Sequence, residues 1–236
     1  METGSTIRRA ATLIAARDGA EGGTEVLVLR RSDTSRFLPG YVVFPGGAVD
    51  AADDALAERV FGDASQAPRA AAIRELIEET GLAVTARGLE PVVAGGDAAA
   101  IAAVAQAPPS ISALRQVAHW IAPENVPVRF DARYFAVAAS RGVEPVADAV
   151  EAAAAWWADP RELLARWSRD EERLYWPTMK TVEAFAACTS VPELLALQIP
   201  DNEPEPGDEE SMPRSTFYQS DEEWEQARRA ASRGEG

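Results

Sequence analysis

The stretch RELIEETGL, residues 74 to 82, constrains the fold of this chain more than any other. At about 100° per residue, Ile73, Leu76 and Ile77 share one face of a helix, while Glu75, Glu78 and Glu79 point nearly opposite. Pro68 suits the first turn of such a helix and Gly81 its end, so the pattern predicts a helix over about 67–80. Like charges three and four residues apart weaken a helix by roughly a few tenths of a kcal/mol per pair. Only Arg74 lies near enough along the chain to offset them. Two readings answer the crowding. One is the solvated face of an ordinary amphipathic helix. The other is a set of ligands for a hard divalent cation such as Mg2+, which prefers oxygen donors and whose charge removes the repulsion.

The surrounding sequence supplies a sheet for that helix. Residues 7–15 and 25–31 read as strands separated by the glycine-rich turn DGAEGG, and YVVF reads as a short strand entering a turn at Pro45, Gly46 and Gly47. A short helix is expected near 53–60 and another at 97–106. Strands are expected at VAHWIAP, RYFAVAA and AAAWW, then helices near 160–168, 178–187 and 191–197. Strands and helices on a single core predict an α/β (α+β) fold with α/β/α layering.

Composition narrows the function. The net charge is −15, and residues 201–236 carry 11 Asp and Glu against 4 Arg, a net of −7, which leaves about −8 for the rest. That balance argues against general nucleic-acid binding, which needs a basic footprint. The segment PDNEPEPGDEESMPRS has the composition of a disordered linker, and Ser220 with Glu223 forms a capping-box pattern for a short terminal helix. The division expected is therefore a domain over 1–200 followed by an acidic, largely disordered tail over 201–236. No apolar run approaches the ~20 residues needed to span a membrane. Cys188 is the only cysteine, so a reducing, cytoplasmic setting is expected. Whether the chain pairs as a homodimer is left open.

Two motifs taken together carry a family resemblance. Gly47, then Arg74, Glu75, Leu76, Glu78, Glu79, Gly81 and Leu82, match the signature G-x5-E-x7-R-E-U-x-E-E-x-G-U (U aliphatic), and in this the sequence resembles the Nudix hydrolases. Two departures stand out: Asp53 replaces the first Glu, and twenty residues (54–73) stand where the pattern has seven. The thirteen extra residues, about 54–66, are either a surface bulge that leaves turn and helix in register, the reading favoured, or the mark of a site that has lost its geometry. The upstream segment LVLRRSDTSRFLPGYVVFPGG is similar to a second signature of a coenzyme A diphosphatase-like branch, through Arg31, Ser32, Arg36, Gly40 and residues 44–47, with Val28 and Leu29 departing.

The resemblance implies a Nudix-type α/β/α sandwich with a mixed β-sheet, plus extra C-terminal helices. It implies metal-dependent hydrolysis of a small-molecule nucleoside diphosphate linked to another moiety, with coenzyme A or acyl-coenzyme A favoured. ADP-ribose or NADH-type dinucleotides, or nucleotide sensing without catalysis, are the alternatives. By resemblance Glu75, Glu78, Glu79 and the Gly47 carbonyl would hold Mg2+ or Mn2+, Arg74 would orient a glutamate, and Glu75 would share in metal binding or proton removal. Arg31 and Arg36, fixed cations suited to phosphate, and Gly46 would bind substrate. Glu144 and Glu151 are candidate general bases, although each also reads as a surface charge. Asp50 and Asp53 suit either ligand support or helix capping. His119 reads as structural, Trp120, Trp156, Trp157 and Trp176 mostly as packing, and Cys188 as buried.

Overall fold

A computed structural model describes residues 7–20, 22–92, 96–122, 129–148, 152–205, 207–218, 220, 222–223 and 225. In chain order the elements are β1 (Arg8–Asp18), β2 (Thr24–Arg31), β3 (Val42–Val43), β4 (Gly46–Ala48), α1 (Ala51–Phe61), α2 (Ala67–Thr80), β5 (Leu82–Thr85) and β6 (Gly88–Pro91). There follow α3 (Gly96–Gln106), β7 (Arg115–Ile121), β8 (Phe130–Ala138), β9 (Ala152–Ala158), α4 (Pro160–Ser168), α5 (Trp176–Ala186), α6 (Val191–Ala196) and α7 (Asp208–Ser211).

Seven strands form one mixed sheet in the order β3-β2-β1-β8-β7, with β4 also on β1 and β9 also on β2. β1 and β8 run parallel, from Arg8 opposite Phe130 to Ala16 opposite Ala138, and the other pairings are antiparallel. Because β1 is long, its remaining edge serves two partners. Ala16–Asp18 pair with β2, and Ala10–Thr12 pair with β4. The glycines expected in a turn therefore belong to a strand, continued by Leu13 N–H donating to Pro45 O at 2.9 Å.

Strand alternation divides the core into two layers. Ala11, Leu13, Leu27, Phe135 and Val137 face α1, α2 and α3; Ile14, Val28, Phe44, Tyr134 and Ala136 face α4, α5 and α6. The mixed-sheet α/β/α sandwich expected from the sequence is the fold observed, and among the described residues no helix is long and apolar enough to cross a membrane. α2 has the expected bounds. Ile73, Leu76 and Ile77 are at most 1% exposed, which contributes about 2 kcal/mol each. Gly81, at φ 63°, ends the helix in the left-handed region, its N–H donating to Ile77 O.

Three features go beyond what the sequence reading anticipated. The extra residues of the signature are helical: they continue α1 and form a single 3-10 turn (Ala64–Gln66), with Leu56, Ala57 and Val60 buried against α2 and α3. The hairpin β5–β6 was not anticipated; Gly88, at φ 110°, supports its two-residue connection. The start of the tail is folded onto the domain. Tyr41 donates to Tyr218 O, Trp176 to Asn202 O and Trp167 to the buried Thr216 hydroxyl, while Phe217 packs on Trp176 at 5.7 Å. A reading from charge density missed these anchors because three side chains hold the segment despite its acidity. At its end, Glu223 N–H donates to Ser220 Oγ, as the capping pattern anticipates.

Candidate active site

The site forms where α2 crosses β4. Gly46 N–H donates to Glu79 Oε2 at 2.9 Å. A Cβ on Gly47 would fall 2.5 Å from Glu75 Oε1, and one on Gly46 would fall 2.5 Å from Ala11 O. Both glycines are needed because carboxylates and a neighbouring strand come too close for any side chain. The acidic face is therefore only partly solvated: Glu75 and Glu79 turn onto the glycine strand, while the Glu78 side chain stays partly exposed. Glu79 is 3% exposed, and it lies about 60° of helical rotation from Leu76, on the flank of the apolar stripe rather than opposite it.

Arg74 organises the carboxylates. Its Nε and Nη2 meet the two Asp53 oxygens at 2.9 and 3.0 Å, its Nη1 meets Glu75 Oε1 at 2.7 Å and Glu78 Oε2 at 3.0 Å, and its Nη2 also meets Ala48 O at 3.0 Å. All five donors of the guanidinium fork are thus used. Burial opposes the charge, but bonds from Asp53 and the field of Glu75 outweigh it and hold the Arg74 pKa above its ordinary value. Asp53, fully buried, also accepts from Asp50 N–H at 2.8 Å, so one carboxylate caps α1 and clamps Arg74. Helix capping, one of the two explanations weighed for Asp53, is seen in its bond from Asp50 N–H. The inserted helix begins at this clamp, which keeps Asp53 and Arg74 together despite the lengthened spacing.

Of the other expected residues, Arg31 reaches the site. Its Nη1 lies 3.9 Å from Glu79 Oε1 and its Nε donates to Phe37 O at 2.9 Å. Arg36 is exposed on the loop after β2, with no hydrogen-bond or ion-pair partner among the described residues. Glu144 is drawn away. Arg17 binds it at 2.9 Å together with Glu25, five residues further along β1 than Thr12, the partner of Gly46. Glu151 lies outside the described residues. The sequence reading passed over Asp148, whose N–H donates to Glu79 O at 3.2 Å. No local pattern marks it; only the return of the chain along α2 brings it there.

His119 Nε2 and Asp131 Oδ1 lie 2.5 Å apart across β7 and β8. Trp120 is buried, whereas Trp157 lies under Arg17 and Trp156 under Arg30, so the indoles mostly pack. Cys188 is buried, which pushes its thiol pKa up.

The donor set suits a divalent cation: three carboxylates on adjacent turns, oxygen only. They are not gathered into a ready cage. Arg74 takes an oxygen from Glu75 and from Glu78 and Gly46 takes one from Glu79, and among the described residues no three His, Cys, Asp or Glu side chains converge as a metal-binding group. Donor chemistry fits a metal here, with the carboxylates held on protein donors.

A NUDIX domain model matches residues 6–176. A NUDIX hydrolase from Alicyclobacillus acidocaldarius has a crystal structure similar to this one at TM-score 0.72 and 34% identity, over 83% of this chain and 98% of that chain. The putative nudix hydrolase 7 of Caenorhabditis elegans is 39% identical over 84 residues, which is 36% of this chain and only 25% of that relative's length. With the glycine strand, the glutamate helix and the arginine clamp in place, and the domain model spanning most of its length, the chain belongs to the Nudix hydrolase family.

Proposed function

We propose that this protein hydrolyses a nucleoside diphosphate linked to another moiety, with coenzyme A or an acyl-coenzyme A the favoured substrate and Mg2+ or Mn2+ the metal. The observation that carries the reading is the burial of Glu79 on Gly46 N–H with Glu75 against Gly47, which turns the acidic face toward a backbone strand instead of toward water. Nudix hydrolases generally use divalent cations, and Glu75, Glu78, Glu79 and the Gly47 carbonyl are the groups that would hold one. Such an ion, when bound, neutralises the diphosphate and lowers the pKa of water.

The chain's own residues prepare that chemistry. Arg74 fixes the rotamers of Glu75 and Glu78, and Asp53 with Ala48 O fixes Arg74, so the acidic oxygens are oriented before substrate arrives. Glu75, pressed on the glycine backbone, is placed to take a proton from the attacking water. Arg31, beside Glu79, offers a fixed cation to a phosphate oxygen, and the exposed Arg36 offers a second.

The deciding experiment incubates the protein and Mg2+ or Mn2+ with coenzyme A, acyl-coenzyme A, ADP-ribose, NADH and nucleoside triphosphates. Release of 3′,5′-ADP and 4′-phosphopantetheine supports the reading. AMP with ribose phosphate moves the substrate to ADP-ribose, and binding without any hydrolysis overturns catalysis.

A further inference from the structure

A second like-charged cluster lies on the same face of the sheet as α2. His119 on β7 is opposite Arg133 on β8, Arg133 is opposite Ala11 on β1, and Ala11 is opposite Gly47 on β4. Residues paired in register project to one side, so this row runs from the glycine beneath Glu75 to Arg133 in two strand spacings, about 10 Å. Ala11 between them is small and keeps the floor low. Arg133 is half-buried, and among the described residues no carboxylate lies within ion-pair distance of it.

Arg69 faces Arg133 from α2. Its guanidinium lies 4.6 Å from the centre of the Phe135 ring and bonds only neutral acceptors, Leu114 O at 3.2 Å and Gln66 Oε1 at 2.6 Å. Burial first, and then the charge on Arg133, lower the Arg69 pKa. Asp131, two residues along β8 from Arg133, is committed to His119. Two half-buried guanidinium groups at neighbouring positions, Arg69 over the Phe135 ring on neutral acceptors and Arg133 two residues along β8 with no carboxylate in ion-pair reach among the described residues, leave a charge that a dianion would balance, and the Arg133 fork can bind an oxyanion by two parallel hydrogen bonds.

The geometry points to Arg133 and Arg69 as a subsite for a phosphate monoester carried by the substrate apart from its diphosphate. The row separates this subsite from the Gly47–Glu75 contact: Arg69 sits over β8, and the glycines sit on β4. Its link to turnover rests on the diphosphatase reading above, but anion binding there does not depend on it.

The test uses the full chain and two readouts. Calorimetry without metal compares adenosine 3′,5′-bisphosphate with AMP. The bisphosphate is expected to bind at least about tenfold more tightly, with that advantage lost in Arg133→Ala and partly kept in Arg133→Lys, which retains charge without the fork. Circular dichroism confirms that both variants fold. Kinetics then compare coenzyme A with 3′-dephospho-coenzyme A. The ratio of their kcat/KM values is expected to fall toward one in Arg133→Ala through KM, with kcat for coenzyme A kept. Equal binding of the two nucleotides to the unaltered protein, or an undiminished bisphosphate advantage in Arg133→Ala, overturns the subsite. No turnover of either coenzyme, with the binding advantage intact, overturns the diphosphatase reading and leaves the subsite standing.

Discussion

Two clusters of like charge share one face of the sheet and settle their repulsion differently. The glutamates of α2 have an internal counter-ion: Arg74 is bonded to Asp53, Glu75, Glu78 and a backbone carbonyl, and Gly46 N–H adds a bond to Glu79. Over β8, Arg69 has neutral acceptors and an aromatic ring, and Arg133 has no ion-pair partner among the described residues. One cluster is therefore part of what holds the protein together, and the other is charge held ready. If so, mutations should separate them: changes to the first should cost stability, activity or both, and changes to the second should cost recognition alone.

The largest effect expected is on turnover at Glu78. Its side chain is 38% exposed and gives one oxygen to Arg74. Glu78→Gln keeps the shape and removes a carboxylate charge. The kcat should fall about 10³-fold, some 4 kcal/mol of transition-state stabilisation, while unfolding free energy moves by no more than about 0.5 kcal/mol, as for other exposed positions. Steady-state kinetics and urea melts on one preparation check both. Undiminished turnover would remove Glu78 from the site.

Asp53→Ala should show the opposite balance. It strips a fully buried carboxylate from Arg74 and the cap from α1. Breaking such a pair leaves an uncompensated charge, at a cost of about 3 kcal/mol, or a fall of roughly 6–12 °C in Tm for a protein of this size. Activity should drop as well, because Glu75 and Glu78 lose the fixed guanidinium that aims them. A Tm change under about 2 °C would mean that the clamp is not structural, and the contrast between the clusters would fail on its first half.

How much of this was legible in the sequence follows from the range of each interaction. Period and punctuation are local, so α2 is placed to the residue by its apolar spacing, Pro68 and Gly81. The glycines and glutamates were legible as a pair because their residue types match a known signature even with thirteen extra residues between its halves. Asp53 was visible as a departure from that signature, but its grip on Arg74 was not, since twenty residues intervene and only the folded α1 closes the gap. The anchors at the start of the tail were not legible, because composition registers charge and overlooks single side chains such as Thr216. Arg133 carried no signal at all: its place beside Ala11 and Gly47 is set by the parallel pairing of two strands more than a hundred residues apart.

That register also yields the smallest effect, and the one that tests the second half of the contrast. If Arg133 were a structural ion pair, replacing it would strand a partner and cost at least about 1 kcal/mol. With no ion-pair partner among the described residues to strand and Arg69 relieved of a like charge, Arg133→Met should leave Tm within about 2 °C of the unaltered protein, on the higher side. Methionine keeps an unbranched apolar stem in place of the methylenes of arginine, so the substitution removes the charge and retains most of the stem's packing capacity. A clear loss of stability would make the arginine row part of the scaffold, and the two clusters would then differ only in sign.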